Sequence, residues 1–212
     1  MAIDPARLSV FCDFDGTISR ADIGKHIMAR VPTPGWEQLD AQYDAGEIGS
    51  RECVSSQWEL VERDEAKVRA AVAEVELDAT FEPFLDALWT VGAEVAIVSD
   101  GFGFYVQEYA DRLGVDCYTN QVDWDAWVLT HPFEDRRCAC SSCGTCKQSP
   151  IKDAKRRGRI TVMIGDGTSD RKAALLADII FAKDALARWC DQAGVAYLPF
   201  DRLSDVHREL LG

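Results

Sequence analysis

The chain has 212 residues, 47% of them apolar, enough to bury one substantial core with a smaller accessory lobe. Its 23 basic against 36 acidic residues leave a formal charge of −13, a field that repels polynucleotides and anionic membranes and argues against both as partners. No segment reaches the roughly 18 uninterrupted apolar residues of a membrane span, and Met1–Val10 lacks the apolar run of a secretory signal, so cytoplasmic residence is expected.

Short apolar runs that end in small or polar residues predict buried parallel strands at Leu8–Cys12, Val95–Val98, Val115–Tyr118, Ile160–Ile164, Ile179–Ala182 and Val195–Leu198. Helical patterns fall between most of them. Glu82–Val91 carries Pro83 in its first turn, and Phe104–Leu113 is stopped by Gly114. Pro150–Arg157 follows Ser149 as an expected N-cap, and Asp170–Ala177 begins after Thr168 or Ser169. The alternation predicts an α/β fold with a doubly wound, mostly parallel Rossmann-like sheet. Residues 20–79 interrupt it with helical patterns broken at Pro32–Pro34–Gly35 and Gly46–Ser50, and read as a small helical cap inserted after the first strand. The core is then 1–19 and 80–212, within which 121–146 reads as a hairpin or long loop carrying Trp124, Trp127, His131 and a run of cysteines.

Ligands of open α/β sheets bind beyond the carboxyl ends of the strands. There the sequence places Asp13-Phe14-Asp15-Gly16-Thr17, Ser99-Asp100-Gly101 and Gly165-Asp166-Gly167-Thr168-Ser169-Asp170. Carboxylates gathered at one edge need a cation, and a set of oxygens without histidine suits Mg²⁺ better than zinc. Asp13, Asp15, Asp166 and Asp170 are the candidate ligands. Asp13 is the candidate nucleophile toward phosphorus, and Asp15 the acid and base that protonates the leaving oxygen and then deprotonates water. Ser99 and the Gly101 region are placed to hold phosphoryl oxygens with a hydroxyl and backbone N–H groups. Asp100 shares that loop as a candidate substrate contact, although a turn or capping role explains it more simply. A lysine is still needed against the phosphoryl charge; Lys147, just before a helix that starts at the active edge, is better placed than Lys152.

Cys138, Cys140, Cys143 and Cys146 are crowded enough to hold a structural Zn²⁺, with reduced thiols or a disulfide as the competing readings. His131 reads as a surface residue before a ligand. The tryptophans at 36, 58, 89 and 189 read as core or cap packing.

These four segments, in this order, resemble the motifs of the haloacid dehalogenase-like hydrolases, and the likeness covers nearly the whole chain. The placement of the helical insert is similar to the branch that contains phosphoserine phosphatase. Ser99-Asp100-Gly101-Phe102 and Cys143-Gly144-Thr145-Cys146-Lys147 are most similar to the methionine-salvage phosphatases of that branch, which act on an enol phosphate. The resemblance implies a Mg²⁺-dependent phosphatase of a small phosphorylated metabolite working through an aspartyl-phosphate. It supports Lys147 over Lys152, and Asp15, absent from the dehalogenases, points away from carbon–halogen hydrolysis. Phosphoserine, phosphocholine-type and pyridoxal phosphates stay open as substrates. A phosphotransferase using the same aspartyl-phosphate stays open as a reaction. A non-catalytic phospho-receiver is opposed by Asp15 and by the insert. Oligomeric state is not legible.

Overall fold

A computed structural model describes residues 4–135 and 142–212. Six strands form one parallel sheet: β1 (Leu8–Cys12), β2 (Glu94–Val98), β3 (Asp116–Tyr118), and after a separate hairpin of β4 (Gln121–Asp123) and β5 (Val128–Thr130), β6 (Ile160–Gly165), β7 (Ile179–Ala182) and β8 (Leu198–Pro199). Their order is β3-β2-β1-β6-β7-β8, so the chain leaves central β1 toward one edge and returns through β6 toward the other. Cys12 is level with both Ile97 and Ile164. The first residues beyond those three strands therefore emerge side by side, at the point where the order reverses.

The alternation of side chains along β1 explains the layers. Leu8, Val10 and Cys12 join one apolar cluster with Ile97 and Ile164, into which α5 (Phe81–Thr90), α6 (Phe104–Leu113) and α10 (Leu203–Leu211) send Phe84, Val106 and Val206. Phe11 belongs to the opposite cluster with Ala96 and Met163, closed by α7 (Gln148–Arg156), α8 (Arg171–Ala174) and α9 (Asp184–Ala193). Helices on both faces make the doubly wound α/β architecture. Between β1 and α5 lie the helices of the insert: α1 (Ile23–Arg30), α2 (Trp36–Asp44), α3 (Ser50–Leu60) and α4 (Glu65–Ala73). Asp22 and Asp64 cap α1 and α4 through the backbone N–H groups of Lys25 and Lys67. Trp58 of α3 is fully buried and stacks on Trp127 with ring centroids 5.1 Å apart, joining the insert to the hairpin.

Several boundaries differ from the sequence expectation. The last strand is not Val195–Leu198 but the two residues Leu198–Pro199, at a sheet edge where the missing N–H of proline costs nothing. The helix expected to start after a Ser149 cap starts at Gln148, with Lys147 in the cap position. Ser149 lies inside the first turn, and its hydroxyl turns to the Asp135 carboxylate at 2.6 Å. Asp170–Ala177 is a 3-10 turn, Thr168–Asp170, followed by the short α8, because the Asp170 carboxylate folds back onto the N–H groups of Asp166 and Gly167. Trp89 does not pack in the core; it is 41% exposed. Among the described residues no helix is long and apolar enough to cross a membrane.

Candidate active site

Asp13 follows β1, and its backbone N–H still donates to Ile164 of β6, so the sheet itself fixes its position. The residue is 4% exposed, and its carboxylate lies 2.8 Å from the Lys147 ammonium. That ammonium also meets Asp170 at 2.7 Å and the Ser169 hydroxyl at 3.0 Å. Asp166 accepts from the Thr17 hydroxyl at 2.9 Å. Ligand oxygens of Asp13, Asp166 and Asp170 all lie within 4.8 Å of one another. Gly16 permits this crowding: it has φ +77°, and a Cβ there would collide with the Asp166 carboxylate.

Asp15, two residues beyond Asp13, faces another way. It accepts from the Tyr105 hydroxyl at 2.9 Å, the Ile23 N–H at 3.1 Å and the Ser99 hydroxyl at 3.3 Å. The structure therefore does not bring the Asp15 carboxylate into the three-aspartate set, contrary to the expectation that it shares the metal cluster. Three donors around the turn claim it first. Ser99 in turn accepts from the Gly101 N–H at 3.2 Å, and a Cβ at Gly101 would run into Asp15 and Tyr105.

Asp100 points away from this pair. Its buried carboxylate accepts from the Ser50 hydroxyl of α3 and from the Thr145 N–H at 2.7 Å, with Asn120 beside it. Asn120 also donates to the Gly101 carbonyl at 2.8 Å and accepts from Thr145. His131 is not a surface residue: it is half-buried, with one ring nitrogen 2.7 Å from Asn120 Oδ1 and the other 2.9 Å from the Ser55 hydroxyl. Of the proposed zinc ligands, Cys138 and Cys140 lie outside the described residues. Cys146 is buried, with the Ser149 hydroxyl 3.6 Å from its sulfur, and Cys143 is half-buried. Lys152 sits within α7, and the site lysine is Lys147. Tyr105, Thr17, Ser169, Asn120 and Ser50 escaped sequence reasoning. Thr17, inside the first motif, and Ser169, inside the last, stood where a signal could have found them.

The charges are unbalanced. Burial, then the neighbouring Asp170, hold the Asp13 carboxyl well above the usual range, and Lys147 offsets them only in part. Burial works against the Lys147 ammonium, yet Asp13 and Asp170 outweigh it and push its pKa up. Burial and Asp170 push Asp166 to about 7. Burial and Asp22 push Asp15 to about 7, against the opposing hydrogen bond from Tyr105. One buried ammonium does not neutralise three carboxylates, and the deficit is what a divalent cation would supply. The donor set fits Mg²⁺: hard oxygens from three aspartates, close enough for ligation at about 2.0–2.1 Å each.

A cavity of about 370 Å³ opens over this edge, reached by Asp13, Asp15, Asp100, Gly101 and Asp166 from the sheet and by the insert from the other side. That volume suits a small metabolite.

The chain matches the family model described as haloacid dehalogenase-like hydrolase over residues 10–175. It is 29% identical over 214 residues to a 2-hydroxy-3-keto-5-methylthiopentenyl-1-phosphate phosphatase of Bacillus cereus, covering 96% of this chain and 95% of that protein. A protein of the same name from Bacillus thuringiensis is 29% identical over 211 residues, again covering 96% and 95%. Among solved structures, a substrate-bound phosphoserine phosphatase complex matches with a TM-score of 0.72 at 18% identity over 96% of this chain and 98% of that one. A phosphoserine phosphatase from T. onnurineus gives a TM-score of 0.72 at 19% identity, covering 99% and 97%. At such identities the structural likeness speaks for the fold.

Proposed function

The chain belongs to the haloacid dehalogenase-like hydrolases, and from that premise we propose that this phosphoric monoester hydrolase is a Mg²⁺-dependent phosphatase using Asp13 as nucleophile and Asp15 as acid and base. The observation that carries the reading is the divergence of those two carboxylates. Asp13 turns into the Lys147–Asp166–Asp170 cluster, while Asp15 turns to Tyr105 and Ser99 across the same cavity.

In the first step an Asp13 oxygen bonds to phosphorus as the bond to the leaving oxygen breaks, and Asp15 passes its proton to that oxygen. Its pKa near 7 keeps a proton available near neutrality. In the second step Asp15 takes a proton from water, whose oxygen attacks phosphorus; Asp13 is restored and inorganic phosphate leaves. Lys147 holds the Asp13 oxygen in place and balances negative charge on the phosphoryl group, Ser99 offers its hydroxyl to a phosphoryl oxygen, and Ser169 and Thr17 orient Lys147 and Asp166. Mg²⁺, held by Asp13, Asp166 and Asp170, would add charge neutralisation at the phosphoryl oxygens.

The methionine-salvage enol phosphate is the substrate best supported, because relatives named for it align over 96% of the chain. Phosphoserine rests on likeness of fold. The test is phosphate release from enol, ketose, amino-acid, choline and pyridoxal phosphates with Mg²⁺ and with EDTA. Release from at least one that requires Mg²⁺ and vanishes in Asp13→Asn is expected. Normal turnover in Asp13→Asn removes the nucleophile, and transfer to added alcohols at the expense of hydrolysis makes the enzyme a phosphotransferase.

A further inference from the structure

Two polar side chains of the insert line the cavity over Asp13 and have no hydrogen-bond partner among the described residues. One is Tyr43 of α2, half-buried, whose hydroxyl is pushed to higher pKa by burial and then by the charge of Asp100. The other is Gln57 of α3, only 7% exposed. A primary amide brings two donors and an acceptor oxygen into a place where bulk water is scarce, and such groups are ordinarily met. Neither of its atoms is sealed off, and the residue lines the cavity. Val54 and Phe102 give the same space apolar surface.

The charges on the insert side say what does not bind there. Asp22, Asp40 and Asp44 line it, and its lysine, Lys25, is closed on Asp40 at 2.7 Å. A free carboxylate on the leaving group would meet these three aspartates. The cation left for an anion is Arg188, which stands exposed on α9 at the sheet side.

We infer that Tyr43 and Gln57 select a neutral leaving group, a short partly apolar chain bearing hydroxyl or carbonyl oxygens, and disfavour amino-acid phosphates. This rests on the phosphatase reading above and names the substrate class of that site. Tyr43 and Gln57 touch the departing chain and not the phosphoryl group.

The test compares wild type, Tyr43→Phe, Gln57→Leu and Arg188→Ala on dihydroxyacetone phosphate, phosphoserine and phenyl phosphate, whose leaving group carries no further oxygen. Wild type should prefer dihydroxyacetone phosphate to phosphoserine. Gln57→Leu should lower kcat/KM on dihydroxyacetone phosphate by about tenfold more than on phenyl phosphate, mostly through KM, and Tyr43→Phe should do the same to a smaller extent. Gln57→Met, of similar length, gives the same comparison if the leucine variant does not fold. Equal losses on both substrates overturn the inference. So does a wild-type preference for phosphoserine that Arg188→Ala abolishes. If wild type with Mg²⁺ releases phosphate from phosphoserine or from the wider panel above but not from dihydroxyacetone phosphate, this inference falls alone. If it releases none from any of them, the phosphatase reading falls and this one with it. Release with unaltered ratios in the variants sinks this inference alone.

Discussion

Ser50, the first residue of α3, donates a hydrogen bond to the carboxylate of Asp100, the residue that follows Ser99. The same carboxylate accepts from the N–H of Thr145, two residues before Lys147. One buried charge thus ties together the insert, the serine turn and the loop that delivers the lysine.

Removing the insert's share of that bond is the first prediction. In Ser50→Ala the Asp100 carboxylate, already pushed above its ordinary pKa by burial, loses one of the hydrogen bonds that pull it back. A hydrogen bond to a buried charged group is worth about 1–3 kcal/mol. Urea unfolding should show a loss of that size, and kcat/KM should fall with it because Ser99 and Lys147 share the anchor. Ser50→Thr, which restores the hydroxyl, should recover most of both. An alanine variant with unchanged stability and activity would leave Asp100 an ordinary turn residue.

Lys147 invites the opposite experiment. It is a buried ammonium between Asp13 and Asp170, and removing one partner of such a cluster costs about 3–5 kcal/mol because the remaining charges are stranded. Lys147→Met should therefore be strongly destabilised in EDTA and partly rescued by Mg²⁺, which thermal unfolding reads directly. Its turnover should be lost under both conditions. Lys152→Met, on a half-buried position of α7 away from the aspartates, should change neither by much.

The same contrast explains what was legible beforehand. Asp13 and Asp166 could be read because each follows an apolar run, and a run of that kind in a parallel sheet has its end at the ligand edge, with Asp170 in the turn just beyond it. The strands of the parallel sheet were readable for the same reason, except β8, whose two residues at the sheet edge bury too little to leave a pattern. Helices α9 and α10 went unmarked because each buries just two side chains, Leu186 with Cys190 and Leu203 with Val206. The partners of the site were hidden by distance along the chain. Tyr105 reaches Asp15 across 90 residues, and Asn120 with His131 braces a loop no local pattern connects to them. Asp15 looked like a fourth metal ligand because sequence shows spacing but not the direction in which a turn aims its side chain.

That direction yields a prediction about leaving groups. If Asp15 supplies the proton to the departing oxygen, its loss matters most where that oxygen is a poor leaving group. Asp15→Asn should cut turnover of alkyl phosphates by about 10²–10⁴ and that of aryl phosphates far less, so that rates across the series depend more steeply on the acidity of the leaving alcohol. An equal drop for alkyl and aryl esters would place Asp15 in binding. Tyr105→Phe, which removes a hydrogen bond that favours the charged form of Asp15, should move the alkaline limb of the pH profile upward.

The unbalanced carboxylates also set how stability responds to pH when no divalent ion is supplied. Asp15 and Asp166 are raised from the ordinary 3.8 to about 7, so the folded chain holds protons that the unfolded chain has released. Their contribution is fully present below the unfolded value and is lost as pH rises through about 7. His131, lowered by burial, works the other way, but only up to the ordinary histidine value of 6.5. The lowered carboxyls of Asp78, Glu94 and Asp178 act only on the acid side, where their stabilisation is lost as pH falls through their folded values. In EDTA the melting temperature should therefore fall as pH rises from about 4 to about 7, at most about 1.4 kcal/mol per pH unit for each carboxyl protonated in the folded chain and ionised in the unfolded one. Asp13, held well above the usual range, extends the fall further. Mg²⁺ favours the ionised forms, so it should raise the melting temperature more at pH 8 than at pH 6 and flatten the decline. A Mg²⁺ effect of equal size at both values would mean that the ion does not bind at these aspartates.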